Sequence, residues 1–209
     1  MNKFYGSIVF GLGIALISCK SPRRIQDKVD SIVSIESGPG KIIDERFLIV
    51  PGRSVGEISL GDDLESVGKR MGRPDAGDAA MGKAWGIWYK TDAVIKQKTE
   101  LAIYSAYRDT SMQTKEVKQI RITSNAYKTQ DGFGTGRTMN DTELHFPGME
   151  EVATYLNENK DTVLVYDAKP EGISFEFLKG RGISITVHPK NVPINNTYLT
   201  LHPEWKVVR

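Results

Sequence analysis

Cysteine is almost absent from this chain, which has one in 209 residues, and histidine occurs only three times. A single cysteine cannot form an intramolecular disulfide, so an apolar core must stabilise the fold. The histidines, His145, His188 and His202, are too far apart for a short zinc-binding motif such as H-E-x-x-H. We therefore predict neither a metal site nor a cofactor.

The chain also lacks a strong excess of charge of either sign. It has 28 basic and 26 acidic residues, a formal net charge of +2, and no long basic stretch. Electrostatic attraction to phosphate dominates nucleic-acid binding, and it requires clustered lysine and arginine. We therefore predict no nucleic-acid partner.

A third absence is a hydrophobic segment long enough to cross a membrane. The uncharged stretch from Phe4 to Cys19 has sixteen residues, whereas a spanning helix needs roughly 18 to 20. The stretch follows the basic Lys3, as in a secretory signal peptide. We predict that residues 1–18 are a signal peptide. The alternative is an apolar amino-terminal helix with an incidental cysteine.

The segment Leu16-Ile17-Ser18-Cys19 resembles the lipobox of bacterial lipoproteins. The resemblance implies cleavage before Cys19 and acylation of that residue, so the membrane becomes a partner through acyl chains. Two or three such chains suffice for stable anchoring. Lys20 stands where aspartate often marks inner-membrane retention in these lipoproteins, so we expect the outer membrane, facing the periplasm. Residues 19–41 contain Gly38-Pro39-Gly40 and predict a flexible tether.

The rest of the chain shows an internal repeat. GEISLGDDLESVGKRMG corresponds to DGFGTGRTMNDTELHFP further along the sequence. Each copy has a glycine turn, a polar cap and a short helical pattern, followed by strand-like segments with alternating apolar residues. The pattern predicts an α+β fold of two tandem units, 42–125 and 126–209, the second with a C-terminal extension. Each unit is expected to be a short helix packed on one face of a three- to four-stranded antiparallel sheet.

The segment at 51–74, PGRSVGEISLGDDLESVGKRMGRP, and its echo at 131–147 resemble two groups of proteins. These are the β-lactamase inhibitor protein family, with tandem helix-and-sheet modules, and the small outer-membrane assembly lipoproteins of the SmpA/OmlA type. The resemblance covers residues 47–188 and implies noncatalytic work, namely protein binding or envelope assembly. An envelope protein is therefore the expected partner, although a shared fold does not identify which one.

One helix covers only one face of each predicted sheet, so the other face is expected to present side chains to a partner. Tryptophan, tyrosine and arginine, which are enriched at binding hot spots, occur on that face. The same count along the strands puts Ile87 and Ile183 on the core side. The alternative for the tryptophan, tyrosine and arginine side chains is that they pack beneath the C-terminal segment, which contains Leu201 and Trp205. The candidate binding surface consists of Trp88, Tyr104, Arg121, Glu176 and His188.

Two other functions compete with protein binding. Gly52-Arg53-Ser54-Val55-Gly56 matches G-x-S-x-G, which makes Ser54 the candidate nucleophile of a periplasmic serine hydrolase. A nucleophile elbow requires a strand followed at once by a helix, whereas Ser54 precedes a strand-like stretch at 57–60. We therefore predict a turn there and no enzyme activity. The third alternative is a glycan-binding module that uses Trp88 and Tyr104.

Overall fold

The computed structural model describes residues 43–91, 96–194 and 201–208. The predicted signal peptide, Cys19 and all of the predicted tether lie outside these residues. Neither helix in the described ranges is long and apolar enough to span a membrane.

The described chain contains two α-helices and thirteen strands. A short 3-10 helix, Glu45–Phe47, precedes them. In chain order they are β1 (Leu48–Val50), β2 (Ser54–Val55), β3 (Ile58–Ser59), α1 (Leu64–Met71), β4 (Ala76–Ala80), β5 (Lys83–Thr91), β6 (Lys98–Tyr107), β7 (Lys115–Ile122), β8 (Lys128–Thr129), α2 (Met139–His145), β9 (Glu150–Leu156), β10 (Thr162–Ala168), β11 (Ile173–Leu178), β12 (Arg181–Val187) and β13 (Lys206–Val207).

These strands form two sheets of unequal size. The small sheet has four strands in the order β3-β2-β1-β8, and β1 is parallel to β8 but antiparallel to β2. The large sheet has nine strands in the order β13-β9-β10-β11-β12-β7-β6-β5-β4. Every pair of neighbours in the large sheet is antiparallel.

The predicted fold class is wrong. The described chain is mostly β, and it does not form two α+β units that each have their own small sheet. Instead, β7 pairs with β12 through Ile120↔Val187, Arg121↔Thr186 and Ile122↔Ile185, and this pairing joins the strands into one sheet. The physical reason is that two separate sheets would each leave an unpaired edge at this position, and joining them removes both edges.

One face of the large sheet, here called the helix face, carries the main core. Its side chains include Ile103, Ile120, Phe175 and Ile185, and they pack in one buried cluster with residues of α1 and the small sheet. Phe146, directly after α2, belongs to the same cluster. Both helices and the small sheet therefore cover the same face of the large sheet.

The opposite face, here called the cleft face, has a different composition. A small apolar cluster of Trp85, Ile87, Ala102 and Tyr104 lies over β5 and β6. Buried polar side chains occupy the middle of the sheet, where β7, β11 and β12 run. Burying polar groups is costly unless they are hydrogen-bonded, so this face is where specific contacts are expected.

Candidate functional site

The structure does not bring the predicted binding residues together on one face. Trp85 lies opposite Tyr104 in the β5–β6 register, whereas Trp88 lies opposite Leu101. Trp88 is therefore on the helix face, and its indole Nε1 donates a hydrogen bond to the carbonyl oxygen of Gly72 at 3.2 Å. Trp88 and Tyr104 lie on opposite faces of the sheet, so they form no common aromatic platform for a glycan.

A shift of one residue explains this error in β5. Ile87 pairs with Ala102 on the cleft face, although the sequence count put it on the core side. A one-residue shift moves every side chain of a strand to the other face. Ile183 is displaced for another reason, because a bulge in the β11–β12 ladder leaves it between paired residues and it faces the cleft side.

The other predicted residues are not an exposed surface. Tyr104, Arg121 and His188 are 3%, 4% and 0% exposed, and Glu176 is largely buried beside Arg121. Leu201 of the C-terminal segment packs against the cluster that contains Tyr104. Packing beneath the C-terminal segment therefore describes Tyr104 better than an open platform does.

Arg121 lies between two glutamates at the centre of the cleft face. Its Nε and Nη2 donate to Oε1 and Oε2 of Glu176 at 3.1 and 2.6 Å, and its Nη1 donates to Oε2 of Glu100 at 2.9 Å. Glu100 is on β6, Arg121 on β7 and Glu176 on β11, with β12 between the last two. This arrangement, here called the arginine clamp, therefore connects side chains across four neighbouring strands.

Burial and charge shift the pKa values of the clamp residues in opposite directions. Burial raises the pKa of Glu176, but the charge and hydrogen bonds of Arg121 outweigh it and hold that pKa below the ordinary value. Burial lowers the pKa of Arg121, and the two glutamates more than reverse this effect. The clamp is therefore an ion pair at neutral pH.

Glu176 gives the protein a specific sensitivity to acid. Because its folded-state pKa lies below the ordinary 4.5, its stabilising contribution is present above about pH 4.5 and is lost as the pH falls through the folded-state pKa. We expect the free energy of unfolding to fall more steeply between about pH 5 and pH 3 in the wild type than in Glu176→Gln, which has no carboxylate to protonate. Urea denaturation at both pH values measures the two slopes. Equal slopes would contradict this prediction.

A second buried pair lies at the carboxyl ends of β10 and β12. His188 Nε2 is 2.9 Å from Asp167 Oδ1, and the two side chains are 0% and 2% exposed. The other ring nitrogen, Nδ1, faces the carbonyl oxygen of Pro189 at 3.2 Å. Asp167 Oδ2 accepts the backbone N–H of Ile194 at 3.0 Å. The pair therefore fixes the beginning of the C-terminal segment to the sheet.

Residues 201–205, here called the strap, lie on the cleft face. Leu201 packs over β5 and β6. His202 stacks on Trp205 with ring centroids 4.2 Å apart, and Trp205 Nε1 donates to Glu158 Oε2 at 3.0 Å. The chain then forms β13, which pairs with β9. The strap is thus attached to strands on both sides of the arginine clamp.

A cleft of about 640 Å³ lies between the strap and the sheet. Its volume is within the range of ligand pockets, which is roughly 300–1,000 Å³. It reaches β4, the last strand of the sheet, through Ala76, Gly77 and Asp78. Aromatic and acidic side chains form much of its lining, notably Trp85, Tyr89, Asp78, Glu100, Glu158 and Glu204.

Negative charge predominates in this cleft. Among the described residues that line it, four carry carboxylates and two carry a fixed positive charge, Lys98 and Arg121, and Arg121 is already paired in the clamp. Burial raises the pKa of Tyr89, and three nearby carboxylates raise it further. Those carboxylates belong to Glu100, Asp75 and Glu204. The Lys98 ammonium lies 3.3 Å from the centroid of the Tyr89 ring, so the cleft wall already holds one cation.

His202 is the third basic side chain of the lining. Its Nδ1 is 3.2 Å from Glu204 Oε1, and its Nε2 is 3.9 Å from Glu100 Oε2. Within the described ranges the buried Nε2 has no hydrogen-bond partner. His202 therefore places the strap beside the acidic lining without a hydrogen bond to the sheet.

The G-x-S-x-G segment forms a turn between β1 and β2, as predicted. Gly52 has a φ of 68°, a left-handed conformation that favours glycine, and its N–H donates to the carbonyl oxygen of Gly172 at 3.0 Å. Ser54 belongs to β2, and α1 begins only at Leu64. No histidine or carboxylate of the described residues is hydrogen-bonded to Ser54. The strand-turn-helix geometry of a nucleophile elbow is therefore not formed here.

The cleft face carries residues that sequence reasoning missed. Glu100 lies two residues before Ala102 on β6, so the alternation that puts Ala102 and Tyr104 on one face also puts Glu100 there. Asp167 is likewise two residues beyond Val165, on the same face of β10. His202 has no such signal, because the strap is not a strand and its position depends on tertiary contacts.

The chain matches no protein-family model, and no curated protein or solved structure matches it. The resemblance to β-lactamase inhibitor proteins and assembly lipoproteins therefore stays a prediction. What the protein does has to be inferred from the cleft and from the sequence.

Proposed function

We propose that the protein is a lipid-anchored lipoprotein of the bacterial cell envelope that binds another envelope protein without catalysis. The lipobox-like sequence that ends at Cys19 supports the anchor. The acidic, aromatic cleft between the strap and the sheet supports the binding function, and it is the observation that carries the proposal.

The contacts of the lining residues favour binding over catalysis. Covalent catalysis needs a nucleophile within hydrogen-bond reach of a base. Among the described residues of the lining, the one aliphatic hydroxyl is that of Thr123, and its oxygen accepts the backbone N–H of Glu100 at 2.8 Å. Other polar groups of the lining are occupied in the arginine clamp and in the Trp205–Glu158 hydrogen bond. Side chains held in this way present a fixed pattern of charge to a partner.

The acyl chains on Cys19 would hold the protein in the outer membrane, with the described residues in the periplasm. The predicted tether at 19–41 would separate the cleft from the membrane surface. A cleft on a tethered protein can reach partners in the same compartment, and this suits an assembly role.

Site-specific photo-crosslinking in intact cells tests this proposal. A photoreactive residue at Gln97, which lines the cleft at the beginning of β6, should give a discrete crosslinked protein. The matched position is Met112, which is 65% exposed in the loop beyond the other end of β6 and should not give that product. Equal crosslinking at both positions, or none at Gln97, would contradict the binding site. The Cys19→Ala variant should leave the membrane fraction, and its retention there would contradict the anchor.

A further inference from the structure

The two edge strands of the large sheet, β13 and β4, differ in length and in side chains. At one end, β13 adds only two residues, Lys206 and Val207, beside β9. A very short edge strand that carries a lysine is poorly suited to pair with another chain. At the other end is β4, and no strand of the described ranges pairs with its outer edge.

β4 has only one of the features that usually protect an edge strand, namely the charge of Asp78. Its sequence, AGDAA, contains no proline and no lysine, and its five pairs with β5 run without a bulge. Gly77, Asp78 and Ala79 are exposed. Small side chains also allow another backbone to approach closely.

The backbone of β4 has hydrogen-bonding groups that β5 does not use. The β4–β5 hairpin turns at Met81 and Gly82, both with positive φ, which makes Ala80 and Lys83 the first hydrogen-bonded pair. Alternation then directs the N–H groups of Gly77 and Ala79 away from β5. In agreement with this, the Ala79 N–H donates to the Asp78 side chain at 2.7 Å and not to β5. An added strand would take the place of this local acceptor.

The charge beside this edge selects a partner. A strand added to β4 would lie about 4.8 Å from it, with every second side chain beside Asp78 on the cleft face, and Trp85 would lie one strand further in. The unbalanced carboxylates of the cleft favour lysine or arginine at those positions, and the aromatic wall suits a cation as it does for Lys98. A second copy of this chain is less suitable, because its β4 would bring another Asp78 and no cation.

We propose that the outer edge of β4 binds an extended basic segment of another protein by strand addition, with lysine or arginine at alternate positions facing the cleft. This inference rests on the proposed binding function and specifies its partner. Backbone hydrogen bonds to β4 supply affinity, and the carboxylates of the cleft supply specificity.

Binding of a synthetic peptide to the full chain in detergent tests the proposal. The probe is a fluorescent peptide of alternating lysine and threonine, with a glutamate and threonine peptide as the charge control. A second control is the lysine and threonine peptide methylated at every backbone nitrogen, which keeps the charges but cannot add a strand. Fluorescence anisotropy should show binding of the first probe, and both controls should bind about tenfold more weakly or worse.

Two variants locate the site. Ala79→Pro removes an N–H that β5 does not use, so it should keep the fold and weaken binding about tenfold. Asp78→Asn keeps an acceptor for the Ala79 N–H and removes one charge, so it should weaken binding about threefold. Near-ultraviolet circular dichroism checks the fold of both variants. The methylated peptide tests the need for backbone hydrogen bonds on the wild type, where no substitution can disturb the fold.

Four binding results would overturn the inference: no binding of the lysine and threonine peptide, equal binding of the glutamate and threonine peptide, equal binding of the methylated peptide, or equal binding by wild type and Ala79→Pro. Sedimentation that shows a wild-type dimer and an Ala79→Pro monomer would assign the edge to self-association and would also overturn it. Failure here together with a specific crosslink at Gln97 would leave the proposed function intact. Loss of the crosslink as well would contradict both.

Discussion

Replacing Arg121 with leucine is expected to lower the free energy of unfolding by about 3–5 kcal/mol, because it leaves buried carboxylates without their cation. Glu176 loses two hydrogen bonds and Glu100 loses one. Neither carboxylate can turn fully into water, since both lie beneath the strap on the cleft face. Urea denaturation of the wild type and of Arg121→Leu measures the difference.

Arg70→Leu is the matched control for this variant. Arg70 also pairs with a carboxylate, that of Asp62 at 2.5 Å, but its side chain is 45% exposed. An exposed pair contributes about 1 kcal/mol or less, so this variant should remain close to the wild type. Adding Glu100→Gln and Glu176→Gln to Arg121→Leu should recover part of the lost stability, because no charge is then left buried. A loss in Arg121→Leu no larger than in Arg70→Leu would show that the clamp is not buried in solution.

Replacing Asp167 with alanine is expected to lower the free energy of unfolding by about 2–5 kcal/mol, because two buried groups lose their hydrogen-bond partner at about 1–3 kcal/mol each. His188 is fully buried and would lose the partner of its Nε2, while the Ile194 N–H would lose its acceptor. The loss of the Ile194 acceptor is local. The amide of Ile194 should therefore exchange faster in this variant than the lower global stability alone would explain. Denaturation and amide exchange on the same variant measure the two effects separately.

Asp131→Ala provides the comparison for the Asp167 variant. Asp131 also pairs with a histidine, His145 at 2.8 Å, but the two side chains are 56% and 34% exposed. We expect this variant to lose about 1 kcal/mol or less. If the two aspartate variants lose the same stability, the buried position of the Asp167–His188 pair does not determine its contribution.

Helix ends are the part of this fold that could be predicted best. The sequence predicts a first helix from about Asp63 that stops at Gly72, and α1 runs from Leu64 to Met71 with Gly72 at a φ of 78°. The spacing of Thr138 and Asp141 predicts a capping box, and the structure confirms it. The same spacing of Asp62 and Glu65 predicts a cap at Asp62, which is wrong by one residue, since Asp63 accepts from the backbone of the first turn. These signals act within about four residues, which is why a sequence reveals them.

Strands were predictable where side chains alternate and not elsewhere. Alternating apolar residues predict strands from Ile173 to Leu178 and from Thr162 to Asp167. The first is β11, and the second differs from β10 by one residue. The strand β4 could not be recognised, because alanine, glycine and aspartate have low strand propensity. It forms through its pairing with β5 across the turn at Met81 and Gly82.

Alternation could not reveal which strands are neighbours. Arg121 and Glu176 were correctly assigned to one face, yet nothing in the sequence near either residue indicates that β12 lies between them. That contact depends on the β7–β12 pairing, and it links residues 55 positions apart. The same limitation produced the wrong fold class, since separate sheets and one joined sheet have the same local pattern.

The β7–β12 ladder has consequences for how the sheet comes apart. It contains three residue pairs, whereas the β5–β6 ladder contains nine. Fewer backbone bonds hold this junction, and Arg121 occupies its middle pair. Under heat or mechanical load we expect rupture to begin there, so that β4–β7 and β9–β12 would part as intact blocks before any single strand peels away.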